Sequence, residues 1–460
     1  MDDTLETTDV EQQVAVEAQV QGRRAALLQS ALLWDSLSYF GSKVVPGLMG
    51  LVSVPVFIRL IGLDQYGQFA VLVPLLMAVA GAASGWLAQG VLRFHPVATE
   101  APARQTSFDQ AVTRGTIASV LVTSGALVAV LAGLSYPLIT SLIATAFCSS
   151  LLIYTVVLAN FQAQLRAASV LRREIIRSIG GLVVPVVTVA ITGRKQFAPV
   201  VLGQAIAYTV AFLPGFRFRS PANEIAADVF GKPRPDSSAA SEMVRQLWRF
   251  GWAVGMWLLL SQMLPVIDRW VIQRFVSYTS AGVYASLHEI AVRSFSFLVF
   301  PLTQAAHPRI MRSWNEGAFA TSYRVIRYSI LSQFAIFVAV FGAVSVSAHW
   351  ITRLILGFDD PTATRILPVL VLGGFLWQLA LLFHKPLEIA QRTGAMLAAM
   401  AAVVVLNVIA CFLFIPRFGY QTAGYILAFS ACFYILFILC ITSFRAFRGY
   451  SPPPTTAEDL

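Results

Sequence analysis

The sequence predicts an all-α integral membrane protein with about twelve transmembrane helices, and three observations carry this prediction. Of the 460 residues, 57% are hydrophobic and only 12% are charged, whereas a soluble domain carries about 25% charged residues. The mean hydropathy is +0.71. Runs of about 18 apolar residues recur from about residue 37 to residue 443, and each could cross a hydrocarbon core of roughly 30 Å as a helix. Soluble classes are therefore excluded, as is a β-barrel, whose strands alternate polar and apolar residues.

Apolar runs separated by Arg, Pro and Gly define the individual spans, six on each side of a central polar segment. Their approximate limits are 36–57, 67–91, 116–134, 137–158, 175–192, 197–215, 249–267, 282–303, 327–348, 364–383, 394–415 and 420–443.

The domain organisation follows from these spans. The central segment is rich in Pro, Ser and mixed charge, which is typical of a linker and too short for a folded domain. With no soluble catalytic domain, we expect a protein that is not an enzyme. The predicted parts are an N-terminal tail, a six-helix bundle, the linker, a second six-helix bundle and a C-terminal tail: 1–30, 31–216, 217–248, 249–444 and 445–460.

The distribution of positive charge predicts the orientation. The chain has a formal net charge of +10, and the tails and alternate loops hold about 23 Lys and Arg, against about 8 in the other loops. Both termini are therefore predicted to be cytoplasmic. Because the charges lie between spans, we expect them to meet lipid headgroups, and we expect no nucleic-acid partner. The acidic N-terminal stretch is unlike the positive start of a signal peptide.

The cysteines predict no metal site. All four lie inside apolar runs, without the paired Cys or Cys/His spacing that a metal ion needs: Cys148, Cys411, Cys432 and Cys440. No cofactor is expected. The lone amide Asn407, in the eleventh span, is predicted to bond between helices.

A short internal repeat relates the two bundles. The first copy consists of Pro55–Arg59 and Gly67–Ala70, and the second of Pro265–Arg269 and Gly282–Ala285, each with a Pro-x-x-x-Arg and a Gly-x-aromatic-Ala pattern. The copies are six spans apart, an even number, so they reach the same membrane face. This predicts a parallel repeat, in which the bundles are related by a pseudo-two-fold axis along the membrane normal, as in some transporters.

Ionisable residues in or at the ends of the spans are the candidates for function, because charge at membrane depth is costly. Basic residues prevail among them, which favours an anionic substrate such as phosphate, a group that arginine binds bidentately. Glu289 is the candidate for coupling to a proton or cation. The candidates for substrate binding are Lys43, Arg59, Arg93, Arg269 and Arg293.

Each candidate also has an interpretation without function. Glu289 and Arg293 are four residues apart in the favourable order and could form a structural ion pair. Arg59, Arg93 and Arg269 lie at span ends, where interfacial charge is ordinary. Lys43 could extend its long side chain to the interface.

Three segments resemble bacterial polysaccharide transporters of the O-antigen flippase type. Residues 55–70 resemble the first-loop signature of this family, Asp268–Arg269 with Gly282–Ala285 resembles its seventh-to-eighth span signature, and residues 407–424 resemble its segment between the last two spans. The resemblance covers about residues 30–445. It implies the fold of the multidrug, oligosaccharidyl-lipid and polysaccharide exporter superfamily, two six-helix bundles around a central cavity.

The same resemblance implies a function in surface polysaccharide assembly. A member would flip an undecaprenyl-pyrophosphate-linked oligosaccharide, a unit of O-antigen, capsule or exopolysaccharide, across the bacterial inner membrane. Its partners would be this lipid-linked glycan, membrane lipid and the polymerase and assembly proteins of the polysaccharide.

Three other functions stay open at this point. A drug or metabolite antiporter of the same superfamily should have an acidic site for cationic drugs, whereas the charges here are mainly basic. A membrane glycosyltransferase, such as a polymerase or ligase, needs a sizeable external loop, but these loops have only about 5 to 17 residues. The third is a scaffold for polysaccharide enzymes.

Overall fold

The computed structural model describes residues 38, 40–98, 102–213, 237–315, 317–389 and 392–445, and all regular secondary structure in these residues is α-helical. The helices are α1 Phe40–Ile61, α2 Leu63–Ala98, α3 Pro102–Gly133, α4 Leu138–Ala163, α5 Ala167–Thr192, α6 Phe197–Phe212, α7 Ser237–Phe275, α8 Tyr278–Asn315, α9 Phe319–Leu356, α10 Pro361–Phe383, α11 Lys385–Ile389, α12 Thr393–Phe418 and α13 Thr422–Arg445.

The helices confirm the predicted multi-pass membrane protein. Ten of those described are long and apolar enough to cross a membrane. Of the two other long helices, α6 is apolar but has only 16 residues, and α8 has 38 residues and contains His288, Glu289 and Arg293. With these two, the long helices correspond one to one to the twelve predicted spans.

Several helices are longer than the spans predicted from hydropathy. A helix of 38 residues, such as α8 or α9, is about 57 Å long, well beyond a hydrocarbon core of roughly 30 Å. Hydropathy detects only the apolar centre, so the polar ends were assigned to loops. For the same reason α7 begins at Ser237, inside the predicted linker 217–248. The two predicted tails lie almost wholly outside the described residues.

Short connections at one face join successive helices. Between α1 and α2 the only non-helical residue is Gly62, whose φ of 82° is in the left-handed region that glycine tolerates. The start of α10 is fixed by Asp360, whose Oδ1 accepts hydrogen bonds from Thr362 N at 2.8 Å and Ala363 N at 3.1 Å. Such an N-cap satisfies amides that the first turn leaves without partners.

Helix α2 makes the main contact between the two halves, α1–α6 and α7–α13. It packs on α4 in the first half and along α7 and α8 in the second. The approach to α7 requires small residues: a Cβ on Gly251 would overlap the carbonyl oxygen of Trp86, and one on Gly255 would lie 3.4 Å from Trp86 N. Close backbone approach of this kind is a common way for membrane helices to associate.

Candidate functional site

A cavity of about 150 Å³ lies between the two halves. Its walls come from α1, α2, α4, α5 and α6 of the first half and from α7 and α8 of the second. Three of its lining residues are arginines, and the lining contains a single carboxylate. The polar lining residues are Ser53, Tyr66, Arg177, Ser178, Gln204, Tyr208, Arg269, Glu289 and Arg293.

Arg269, Glu289 and Arg293 form a connected group in the second half, here called the cationic cluster. Arg269 Nη2 donates to Glu289 Oε1 at 2.7 Å, and Arg293 Nε donates to Glu289 Oε2 at 2.6 Å. The side chains of Arg269, Glu289 and Arg293 are 2%, 24% and 39% exposed, respectively. Two guanidinium groups share one carboxylate, so the cluster keeps one uncompensated positive charge.

The two arginines of the cluster are held differently. Arg269 also donates through Nη1 to the carbonyl oxygen of Ala70 at 3.2 Å, and its Nη2 lies 3.2 Å from His288 Nδ1. Since Ala70 is in α2, Arg269 ties the second half to the first. Arg293 bonds through Nε alone among the described residues. Its Nη donors are therefore able to bind an anion in the cavity.

Gly50 makes room for the Arg293 guanidinium. A Cβ on Gly50 would overlap Arg293 Nη1, so a side chain here would occupy the space of the guanidinium. The end of an arginine is flexible, so we expect Gly50→Ala to leave the fold intact and displace the guanidinium. Anion affinity measured on the purified protein should fall several-fold, less than for Arg293→Ala. Gly81→Ala, at a site where an added Cβ meets nothing within 4 Å, is the control. Unchanged affinity of Gly50→Ala would contradict this role of Gly50.

The third arginine of the lining, Arg177, belongs to the first half and was not predicted from the sequence. Its Nε and Nη2 donate to Glu174 Oε2 at 2.9 and 2.7 Å, and Nη2 also donates to Ser178 Oγ at 3.2 Å. The guanidinium carbon is 5.9 Å from the ring centre of Tyr154 and 5.6 Å from that of Tyr208. A signal existed, because Arg177 lies inside the predicted span 175–192 and Glu174 precedes it by three residues.

The other candidates lie away from this cavity. Lys43 is exposed on α1. Arg59 is exposed at the end of α1, where Nη2 donates to the carbonyl oxygen of Leu354 at 2.8 Å. Arg93 is exposed on α2, 5.4 Å from the ring centre of Phe250. The structure thus brings together Arg269, Glu289 and Arg293 of the predicted set, and none of the other three lines the cavity.

A second polar cluster is buried within the second half. Asp268 is fully buried and accepts hydrogen bonds from the Tyr284 hydroxyl at 2.9 Å and from Cys411 Sγ at 3.1 Å. Asn407 Nδ2 donates to Ser430 Oγ at 3.2 Å, between α12 and α13, which confirms its predicted role between helices. No group of three or more His, Cys, Asp and Glu side chains suited to a metal ion occurs among the described residues.

Comparison with known proteins decides the family. Residues 32–314, more than half of the chain, match the family described as polysaccharide biosynthesis protein. The chain belongs to this family. A comparison of this chain with curated proteins found no match. The resemblance found from the sequence motifs is confirmed.

Solved structures confirm the fold. The lipid II flippase MurJ in an inward closed conformation is similar with a TM-score of 0.65 and 13% identity, over 89% of this chain and 87% of that one. An inward-facing MATE multidrug resistance transporter of the MOP superfamily has a TM-score of 0.60 and 12% identity, over 90% and 96%. A MOP superfamily transporter from Pyrococcus furiosus, described as having a binding pocket of reverse polarity, has a TM-score of 0.56 and 12% identity, over 89% and 94%. At these identities the likeness shows the MATE/MurJ-like fold.

Proposed function

We propose that this protein is a flippase that moves an undecaprenyl-pyrophosphate-linked oligosaccharide from the cytoplasmic to the periplasmic leaflet of the bacterial inner membrane. It would work by alternating access, with both termini in the cytoplasm, and supply the units of a surface polysaccharide. The observation that carries the proposal is the cavity between the halves, which is lined by three arginines and one carboxylate.

The charge of the cavity favours an anion with several oxygens. Its lining holds three arginines and Glu289, and Arg177 is paired with Glu174, so one positive charge is left uncompensated. Arginine presents a planar fork of donors that matches phosphate, and it stays charged when buried. Ionisable side chains at membrane depth are costly, and they commonly mark the path of a substrate. A pyrophosphate group meets all of these conditions, while its lipid tail stays in the bilayer.

The size of the cavity indicates which part of the substrate fits the present conformation. A volume of about 150 Å³ is below the roughly 300–1,000 Å³ of ordinary ligand pockets. The cavity therefore holds a group of about the size of pyrophosphate, and the sugars require the two halves to part. This agrees with alternating access, in which a cavity between two bundles widens towards one face at a time.

Arg177 is placed to contact the substrate from the side opposite the cationic cluster. We expect Arg177→Ala to lower the affinity for undecaprenyl pyrophosphate about tenfold, the loss of one charge-assisted hydrogen bond. The measurement is lipid binding to the purified protein in nanodiscs. Arg172→Ala is the matched control, since Arg172 is exposed on the same helix. Equal affinities for the two variants would remove Arg177 from the site.

Glu289 is our candidate for ion coupling. Both of its oxygens accept bonds from arginines, so protonation would break one of these bonds and release positive charge into the cavity. We expect Glu289→Gln to abolish the pH dependence of transport, measured as glycan translocation into proteoliposomes across a range of pH. A variant that keeps the pH profile of the wild type would exclude this role.

The structure disfavours the competing functions. A site for cationic drugs needs free carboxylates, whereas the one carboxylate of the lining is bonded by two arginines. A glycosyltransferase needs a sizeable external loop, whereas the connections at the face where α1 meets α2, which is predicted to be external, are short. The six connections at this face consist of residues 62, 134–137, 193–196, 276–277, 357–360 and 419–421.

A binding experiment separates the proposal from the antiporter. Undecaprenyl pyrophosphate, undecaprenol and a lipophilic dication would each be titrated into the purified protein in nanodiscs. The proposal predicts that only the pyrophosphate lipid binds and that inorganic pyrophosphate competes with it. Binding of the dication without binding of the pyrophosphate lipid would favour the drug antiporter.

A further inference from the structure

The repeat glycines Gly67 and Gly282 meet where α2 crosses α8. A Cβ on Gly67 would overlap the carbonyl oxygen of Tyr278 and lie 3.2 Å from Gly282 N. A Cβ on Gly282 would lie 2.6 Å from the carbonyl oxygen of Leu63 and 3.2 Å from Gly67 N. The two backbones therefore touch directly, with no side chain between them.

The contact is reciprocal. Gly67 faces the residue four positions before Gly282, and Gly282 faces the residue four positions before Gly67. Self-complementary contacts of this kind arise where a two-fold axis runs through an interface. The pseudo-two-fold axis of the repeat therefore passes between the two glycines, which explains why the Gly-x-aromatic-Ala pattern occurs in both halves.

The crossing lies between the cavity and the face where α1 ends and α2 begins. The α2 residues that line the cavity run from Tyr66 to Met77, so Gly67 lies at the end of this lining nearest to that face. Ile61 and Ile272 belong to one buried apolar cluster of both halves, which also contains Tyr66 and Ala281, the neighbours of the two glycines in sequence. At the same face Arg59 of the first half donates to the carbonyl oxygen of Leu354 in the second. The cavity is therefore closed towards this face by contact between the halves.

We propose that the crossing of α2 and α8 at Gly67 and Gly282 is the gate of the cavity at this face, predicted to be periplasmic. At Gly67 and Gly282 the two helices touch through backbone atoms, so no side chain at the crossing itself has to change its packing when they part. A side chain at either glycine holds the backbones apart and disfavours the closed state. This proposal rests on the proposed function in one respect: it requires a cavity that opens to one face at a time.

Thiol labelling of the cavity tests the gate without any substrate. In a background with the four native cysteines replaced by serine, Ser53→Cys provides a thiol in the cavity wall. A membrane-impermeant maleimide is applied to right-side-out and to inverted vesicles. Lys195→Cys, in the exposed α5–α6 loop at the same face, identifies the vesicles that present this face to the reagent.

We expect Gly67→Ala and Gly282→Ala to label about tenfold faster than the parent from the gate face, because the population shifts towards the open state. Gly81→Ala on α2, where an added Cβ meets no atom within 4 Å, should label at the parent rate. Parent rates for folded Gly67→Ala or Gly282→Ala would overturn the gate. Gly282→Ala has the milder overlap and serves if Gly67→Ala fails to fold.

Cross-linking provides a second measurement that does not depend on the alanine variants. Leu63 and Tyr278 lie on the two sides of the crossing, and a bifunctional thiol reagent on Leu63→Cys with Tyr278→Cys would join α2 to α8. Locking the gate should abolish labelling of the cavity from this face and leave labelling from the other face intact. If the joined protein still labelled from the gate face at the parent rate, the crossing would not be the gate. Neither result depends on the substrate, so the proposed function is tested separately.

Discussion

Arg269→Ala is expected to destabilise the protein by about 3 kcal/mol, the lower end of the cost of removing one partner from a buried ion pair. Arg269 is 2% exposed; its Nη2 bonds to Glu289 and lies beside His288, and its Nη1 donates to the carbonyl oxygen of Ala70. Its loss leaves Glu289 with one arginine and removes the hydrogen bond from Arg269 of α7 to Ala70 of α2. The measurement is detergent-induced unfolding in mixed micelles, followed by tryptophan fluorescence.

Arg245→Ala is the matched control for this loss. Arg245 lies on the same helix, is 72% exposed and is 3.9 Å from Glu242. An exposed pair of this kind contributes about 0–1 kcal/mol. The account predicts a clear gap between the two variants. Equal stabilities would show that Arg269 does not hold the halves together.

Arg293→Ala is expected to leave the protein folded and to lower its affinity for undecaprenyl pyrophosphate about 10–100-fold. Hydrogen bonds to charged groups contribute about 1.5–3 kcal/mol, and each 1.4 kcal/mol is a factor of about ten in affinity. Arg293 is 39% exposed, and of its donors only Nε bonds within the described residues. Removing Arg293 should therefore lower the affinity for the ligand more than the stability of the protein.

The control for Arg293 is another cation that is exposed to solvent and does not line the cavity. Arg194→Ala fits, because Arg194 is exposed in the α5–α6 connection. Unfolding curves for both variants should match the wild type, and only Arg293→Ala should lose affinity. A folded Arg293→Ala protein with undiminished affinity would show that the cationic cluster is not the anion site.

Hydropathy alone predicted the fold class, the multi-pass character and the approximate centre of each span. This works because a lipid-facing helix must be apolar over roughly 20 residues, whatever its neighbours are. Helix ends were missed where long helices such as α7 and α8 continue beyond the hydrocarbon core. The Gly-x-aromatic-Ala repeat was visible in the sequence, but that Gly67 and Gly282 touch each other could be learned only from the packing.

The candidate site was predicted less completely, because a sequence does not give the rotation of each helix. Arg269, Glu289 and Arg293 meet since α7 and α8 turn these side chains to the cavity. Lys43 and Arg93 are equally basic but face elsewhere. Arg177 lies inside the predicted span 175–192 but was not among the predicted candidates. The sequence predicted a basic site, but only the packing of the helices shows which basic residues line the cavity.

The central claim is that the cavity carries a pyrophosphate-linked glycan from one leaflet to the other. The most direct measurement is the leaflet distribution of undecaprenyl-linked glycan in cells with and without this gene, read by access of an external glycan-processing enzyme. The account predicts accumulation on the cytoplasmic side without the gene, restored by the wild type and not by Arg293→Ala. A normal distribution in cells that lack the gene would contradict it.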